Sequence, residues 1–312
     1  MALLAGKVYD PSTLATASTA SLLAMTALDT TNLRLSFNAP ANGKSGTSNV
    51  FCRMRVPWKG AATTPQILLG VMDGSTVKLR LVPTTWVRSF FSASVGSFEA
   101  VGCILGLTPA AALNYDLAYG VEVVVASTQL GWGGPDDTTS GNAYSGACFE
   151  IWDAPNLLAC KVYDPSTAGS LAVGSAASKL TAIDTTNLRL TFTTPASGFS
   201  GNVLVRLRGV LTGSASGPST IFLGVLDGAT IKGRSVGLGN TNQSGTLATT
   251  DRVPFEASFV VTGLSANTSY TWDAAVGVED QRASNTLQYG GPNNATTNDA
   301  WGAFVFEVWD AS

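Results

Sequence analysis

The chain has 312 residues, a formal net charge of −3 and no histidine; 45% of its residues are hydrophobic and only 12% are charged. That charge supplies no basic field for nucleic acid or an anionic membrane surface, and there is no run of about 18 apolar residues to span a bilayer. Without histidine, the commonest general base at neutral pH is gone, along with Ser-His-Asp and Cys-His nucleophiles and the usual zinc sites.

The first predicted element is a strand through Lys7-Val8-Tyr9 that runs into an Asp10-Pro11 turn, where proline fixes φ and removes a ladder donor. Tyr9 is expected to pack, Asp10 to bond turn amides and Lys7 to be solvated. The heptapeptide Lys7 to Thr13 returns unchanged as Lys161 to Thr167. Asp29 to Leu35 returns as Asp184 to Leu190, Leu69 to Gly74 as Leu223 to Gly228, and Phe149 to Ala154 as Phe306 to Ala311. The offset between copies drifts by a few residues, so insertions fall between motifs, where loops absorb them. A period this long is a whole domain, since solenoid repeats run roughly 20 to 50 residues. The reading is a tandem duplication, with domains 1–156 and 157–312. Each is long enough to bury about 70% of its unfolded surface without staples.

Leu33, Leu35 and Phe37 alternate with Arg34, Ser36 and Asn38, and the second copy repeats the pattern. Val50, Cys52, Met54 and Val56 alternate with Phe51, Arg53 and Arg55, with Arg206 and Arg208 at the matching outward positions. This two-residue period is that of strands with one buried face. Further strands are predicted over 66–72, 77–82, 97–105, 115–125 and 147–152. Asp73-Gly74 and Asp227-Gly228 stand where tight hairpins need positive φ. Trp132-Gly133-Gly134-Pro135 and Tyr289-Gly290-Gly291-Pro292 introduce Asn/Asp/Thr-rich loops. No helical period is sustained. The predicted fold class is all-β: two tandem homologous antiparallel β-sandwich domains.

Gly106-Leu107-Thr108-Pro109 ahead of Tyr115, and Gly263-Leu264 ahead of Tyr270, resemble the leucine and tyrosine corner of fibronectin type III and immunoglobulin-like sandwiches. Both halves are longer than the ~100 residues of an immunoglobulin domain, so a jelly roll of about eight strands is the alternative topology.

Aligning the copies sets Cys52 against Val205, Cys103 against Val260 and Cys148 against Val305, which makes these cysteines small core hydrophobes. A Cys52–Cys103 disulfide between sheets is the competing expectation. Cys160 stands in place of Gly6.

Three acids recur in both copies: Glu99 with Glu256, Glu122 with Glu279, and Glu150 with Glu307. Two carboxylates suffice for glycoside hydrolysis, but Glu150 alternates with Phe149 and Ile151, which points it outward toward Arg53 or Arg55 on a neighbouring strand. Asp136, Asp137 and Asp299 read as turn formers, with a calcium loop as the alternative. No nucleotide loop or other cofactor motif is present, and neither a cofactor nor a metal is expected. The ligand candidates are aromatic: Trp132 and Tyr289 in matching loops, and Trp86 near Arg88, on which a sugar ring would stack. The competing reading is that these rings fold over the sandwich end and cap its core.

A tandem sandwich with a Ser/Thr/Gly-rich surface and no leader or catalytic motif resembles the decoration, cement or fibre modules of tailed-phage virions. The resemblance implies a structural protein of the virion rather than an enzyme, made in the host cytoplasm without a secretion signal. Its implied partners are other capsid or virion proteins and further copies of itself, with no nucleic acid and no membrane. The alternative function is a carbohydrate-binding or adhesive module that engages glycans through its loop aromatics.

Overall fold

The computed structural model of the chain describes residues 1–11, 15–17, 25–59, 67–81, 83, 95–121, 130–133, 146–163, 169–172, 180–213, 220–239, 252–278, 286–289 and 303–312. The chain divides into two compact units, Met1–Asn42 with Thr47–Ala154, and Gly43–Gly46 with Pro155–Ser312.

Strands of the first unit are β1 (Leu3–Tyr9), β2 (Ala15–Ala17), β3 (Thr26–Ala27), β4 (Arg34–Asn38), β5 (Ser48–Lys59), β6 (Ile67–Asp73), β7 (Thr76–Leu81), β8 (Val95–Leu107), β9 (Ala112–Val121), β10 (Leu130–Trp132) and β11 (Ala147–Asp153). Those of the second are β12 (Leu157–Tyr163), β13 (Gly169–Ala172), β14 (Thr181–Ala182), β15 (Arg189–Thr193), β16 (Val203–Gly213), β17 (Thr220–Asp227), β18 (Thr230–Gly239), β19 (Arg252–Val261), β20 (Ser269–Val278), β21 (Thr286–Tyr289) and β22 (Phe304–Asp310).

In the first unit β5 pairs with β8 along one edge, and with β11 and then β10 along the other; β1 continues from β11 and β2 from β10. The opposing sheet runs from β3 and β4 through β9 and β6 to β7. When the broken rows (β1 with β2, β3 with β4, β10 with β11) are each taken as one strand, the row orders are first–eighth–third–sixth and second–seventh–fourth–fifth. That is the order of a jelly roll, and the second unit repeats it. The predicted class, tandem antiparallel sandwiches, is therefore the observed one, and the strand order selects between the two topologies that alternation left open.

The tyrosine-corner likeness is local. The Ser265 N–H donates to Tyr270 Oη at 2.9 Å, but Tyr115 is not the counterpart of Tyr270. Tyr115 lies opposite Leu35 and Trp272 opposite Leu190, so Tyr115 matches Trp272 and Leu113 matches Tyr270. Both Tyr115 and Trp272 are buried aromatics, packed edge-on to Phe37 at 5.3 Å and to Phe192 at 4.9 Å.

Two repeated motifs have clear local causes. Asp29 Oδ1 accepts the N–H of Thr31 at 2.8 Å and of Asn32 at 2.7 Å, and Asp184 does the same for Thr186 at 2.9 Å and Asn187 at 2.7 Å. These side-chain turns lead the chain into β4 and β15. There Arg34 and Arg189 each make a bidentate bond, both contacts 2.8 Å, to the buried carboxylates Asp116 and Asp273. The two tight hairpins are as expected, with Gly74 and Gly228 both at φ 59°.

Inside each sandwich the inward positions form the core. In the second unit Leu190, Val205, Leu207, Val225, Trp272, Phe304 and Phe306 belong to one continuous cluster. Cys52, Cys103 and Cys160 are buried thiols outside any disulfide, and Cys148 is a partly buried one. Cys52 lies opposite Gly102, and Cys103 opposite Phe51, so the two cysteines occupy alternate positions of neighbouring strands in one sheet. Their side chains point to opposite faces, which corrects the expectation that they span two sheets.

Candidate functional site

The Trp132 loop lies against the opening heptapeptide. Trp132 packs on Tyr9 with ring centroids 6.1 Å apart, and it pairs with Trp58 and Ala15 on the neighbouring strands. Gly133 has φ 61°, and a Cβ there would stand 2.5 Å from the Pro11 ring. Gly133 and the Asp10-Pro11 turn are thus fitted to each other.

Trp132 is only 3% exposed and Tyr289 only 6%. The expectation of ring faces offered to a sugar is corrected at both positions: the rings cap the core, because a large apolar face is better buried than wet. Tyr289 packs in the second core with Tyr163 against the same cluster, and its hydroxyl donates to Asp184 Oδ2 at 3.4 Å. Burial, followed by the charge of Asp184, pushes the Tyr289 hydroxyl up to about 12. Trp86 lies outside the described residues, as do Arg88, Glu122, Glu279, Asp136, Asp137 and Asp299.

A different set of residues forms a patterned surface. On the outer face of the β1–β11–β5–β8 sheet three rows cross the strands. They are Leu3–Trp152–Phe51–Cys103, Gly6–Glu150–Arg53–Val101 and Val8–Cys148–Arg55–Glu99. Arg53 reaches Glu99 at 2.9 Å and Glu150 at 3.9 Å, and Arg55 reaches Glu99 at 2.7 Å. Glu150 also accepts the Trp152 indole N–H at 3.0 Å, which fixes the ring plane. Burial tends to raise the Glu99 carboxyl, but the bonds and charges of Arg53 and Arg55 outweigh it and hold Glu99 below its ordinary value. Glu150 is therefore an outward residue bridging to arginine, as its alternation indicates.

The same rows recur in the second unit as Leu157–Trp309–Leu204–Val260, Cys160–Glu307–Arg206–Ser258 and Val162–Val305–Arg208–Glu256. Arg206 bonds Glu256 at 2.9 Å, Arg208 bonds Glu307, and Glu307 accepts the Trp309 N–H at 3.0 Å. The chemistry is shared but the burial is not. β11 alternates between buried and half-buried residues, whereas every residue of β22 is buried. Leu3 is 51% exposed where its twin Leu157 is fully buried, and Val8 is 73% exposed.

The first-unit face is therefore more exposed than its twin at Leu3, Val8, Glu150 and Trp152, and its charged side chains are joined by arginine–carboxylate bonds. Sequence reasoning found its acids and arginines one at a time and missed the assembled face. The signal was available in the Phe-Glu-Ile-Trp-Asp and Phe-Glu-Val-Trp-Asp repeats, whose alternation aligns Glu150 with Trp152 and Glu307 with Trp309. Among the described residues, no group of three or more His, Cys, Asp or Glu is placed to hold a metal ion.

No protein-family model and no curated protein matches the chain. Among solved structures, a peptide-N(4)-(N-acetyl-β-D-glucosaminyl) asparagine amidase is similar at 10% identity and TM-score 0.40, covering 99% of this chain and 97% of that one. Recombinant N-glycanase F is similar at 10% identity and TM-score 0.39, covering 98% and 95%. The N-terminal CBM22-1–CBM22-2 tandem domain of Paenibacillus barcinonensis Xyn10C has 11% identity and TM-score 0.20, covering 99% and 98%. The expectation that the chain is not an enzyme is corrected on this finding, because the first two of these structures are enzymes. The exclusion of catalysis is withdrawn, while likeness at these TM-scores assigns no activity to this chain.

Proposed function

We propose that this protein is a binding and assembly module that works through preformed sandwich faces, and that its setting is the shell or fibre of a virus particle. The observation that supports the reading is the open outer face of the first unit, where Leu3 and Val8 are 51% and 73% exposed beside bonded Arg53, Arg55, Glu99 and Glu150. A weakly charged surface and a duplicated architecture suit attachment to a repeating lattice, where paired sites add avidity when their spacing matches. The test is quantitative mass spectrometry of purified tailed-phage particles that encode the protein. A fixed copy number per particle supports the reading, and absence from the particles refutes it.

A carbohydrate-binding reading is favoured by one feature of the same face. The half-exposed Trp152 indole, oriented by Glu150 beside Arg53, combines a flat apolar ring with polar groups at its rim. That combination suits a sugar face better than the buried rings of Trp132 and Tyr289. Glycan-array binding that disappears in Trp152→Ala supports this second reading, and an empty array eliminates it.

A further inference from the structure

Gly43-Lys44-Ser45-Gly46 and Gly198-Phe199-Ser200-Gly201 are the same short loop in the two copies, with Lys44 standing where the second copy has Phe199. In sequence Gly43–Gly46 lies between β4 and β5, yet it belongs to the second unit, which the chain enters and leaves within these residues. There the Lys44 N–H donates to the Pro155 carbonyl at 2.8 Å. A Cβ on Gly43 would stand 2.8 Å from that oxygen and 2.9 Å from Pro155 Cα, so the two backbones lie this close only because Gly43 has no side chain. The Gly46 N–H closes the turn on the Gly43 carbonyl at 2.9 Å, with Gly46 at φ 76°.

The Lys44 ammonium pairs with Asp310 at the end of β22, whose side chain is 0% exposed while that of Lys44 is 33% exposed. Asp310 also accepts the Ser312 N–H at 2.9 Å and the Ser312 hydroxyl at 2.6 Å. Burial works to raise the Asp310 carboxyl, but the bonds from Lys44 and Ser312 outweigh it and hold the group below its ordinary value. The two loops are thus anchored by different forces. Phe199 packs against the apolar core of the second unit, whereas Lys44 holds by an ion pair and a main-chain hydrogen bond. Opening the Lys44 loop lets water reach both charges, which offsets part of the lost pairing, while withdrawing a ring from the core has no such compensation. We infer that Gly43–Gly46 is a releasable strap of the second unit, latched by Lys44 on Asp310 and seated on Pro155. The glycine at either end absorbs the backbone rotation that opening requires. Release bares the Asp310 carboxylate and the Pro155 main chain while the core of the sandwich stays closed, a local opening rather than a global one.

The test is limited trypsin digestion of the full chain, with mass spectrometry following the Lys44–Ser45 bond, which the protease reaches when the strap is open. Cleavage then reports the open population. Asp310→Asn removes the charge that Lys44 is latched to, and Gly43→Ala pushes the strap off Pro155 without touching either charge. Each is expected to speed the cut after Lys44 by about tenfold or more, while cleavage after Lys78 and Lys232 keeps its wild-type rate. Should Asp310→Asn loosen the whole second unit, seen as faster cleavage after Lys232, Gly43→Ala decides. A Lys44–Ser45 bond cut as fast in the wild type as in Gly43→Ala overturns the inference, as does a rise matched at Lys232 in both variants.

Discussion

Glu150 and Glu307 hold equivalent positions with equivalent partners in surroundings of unequal burial, so Glu150→Ala and Glu307→Ala form a matched pair of perturbations. In the second unit the Glu307 side chain is 0% exposed and that of its partner Arg208 only 5%. Removing the carboxylate takes away a bond to the Arg208 guanidinium and one to the Trp309 N–H, in surroundings closed to water. Breaking a buried pair in this way costs about 3–5 kcal/mol. In the first unit Glu150 is 23% exposed and Arg53 40%. Arg53 keeps Glu99 at 2.9 Å, so the loss is the ~0–1 kcal/mol of a surface pair. For a unit of this size 1 kcal/mol moves the melting temperature by about 2–4 °C, which places the Glu307→Ala shift at roughly 6–20 °C and the Glu150→Ala shift below about 4 °C. Differential scanning calorimetry of the two variants reads both. Equal shifts would refute the unequal burial of the twin faces.

Further outcomes follow from the same geometry. Trp132→Ala removes a core-capping ring and is expected to cost about 3–5 kcal/mol in urea unfolding; a ring merely presented to ligand would leave stability unchanged. Gly133→Ala adds a Cβ 2.5 Å from Pro11 at φ 61°, and is expected to cost about 1–3 kcal/mol. Asp29, Asp184 and Glu99 have native pKa values held below the ordinary carboxylate range, because hydrogen bonds outweigh the opposing effect of burial. Their contribution is present in full above the unfolded value of about 4 and is lost as pH falls through the lowered native values. The melting temperature should therefore be flat near neutrality and decline below about pH 4. A rise on acidification would contradict that sign.

How much of this was legible in the sequence differs from residue to residue. The repeated heptapeptide registered one unit on the other correctly enough to match Trp132 with Tyr289, which lie opposite Ala15 and Gly169 on matching strands. Alternation at Leu33 to Phe37 and Val50 to Val56 gave strands and inward faces, since a period of two follows directly from the pleat. Topology was beyond it, because alternation is the same whether sheets close as a jelly roll or an immunoglobulin-like sandwich. Tyr115 was matched to Tyr270 by residue type, whereas the ladder matches it to Trp272. The unequal burial of Leu3 and Leu157 could not be read at all, since the two strands carry nearly identical residues and differ only in what surrounds them.

Hydroxyl-radical footprinting with mass spectrometry, at a concentration below any self-association, tests the central claim most directly. Leu3, Val8 and Trp152 should be oxidised readily while Leu157 and Trp309 stay protected, because the first unit's face is open and its twin is buried. Equal labelling of the two sets, or protection of Leu3 and Val8, would contradict the account.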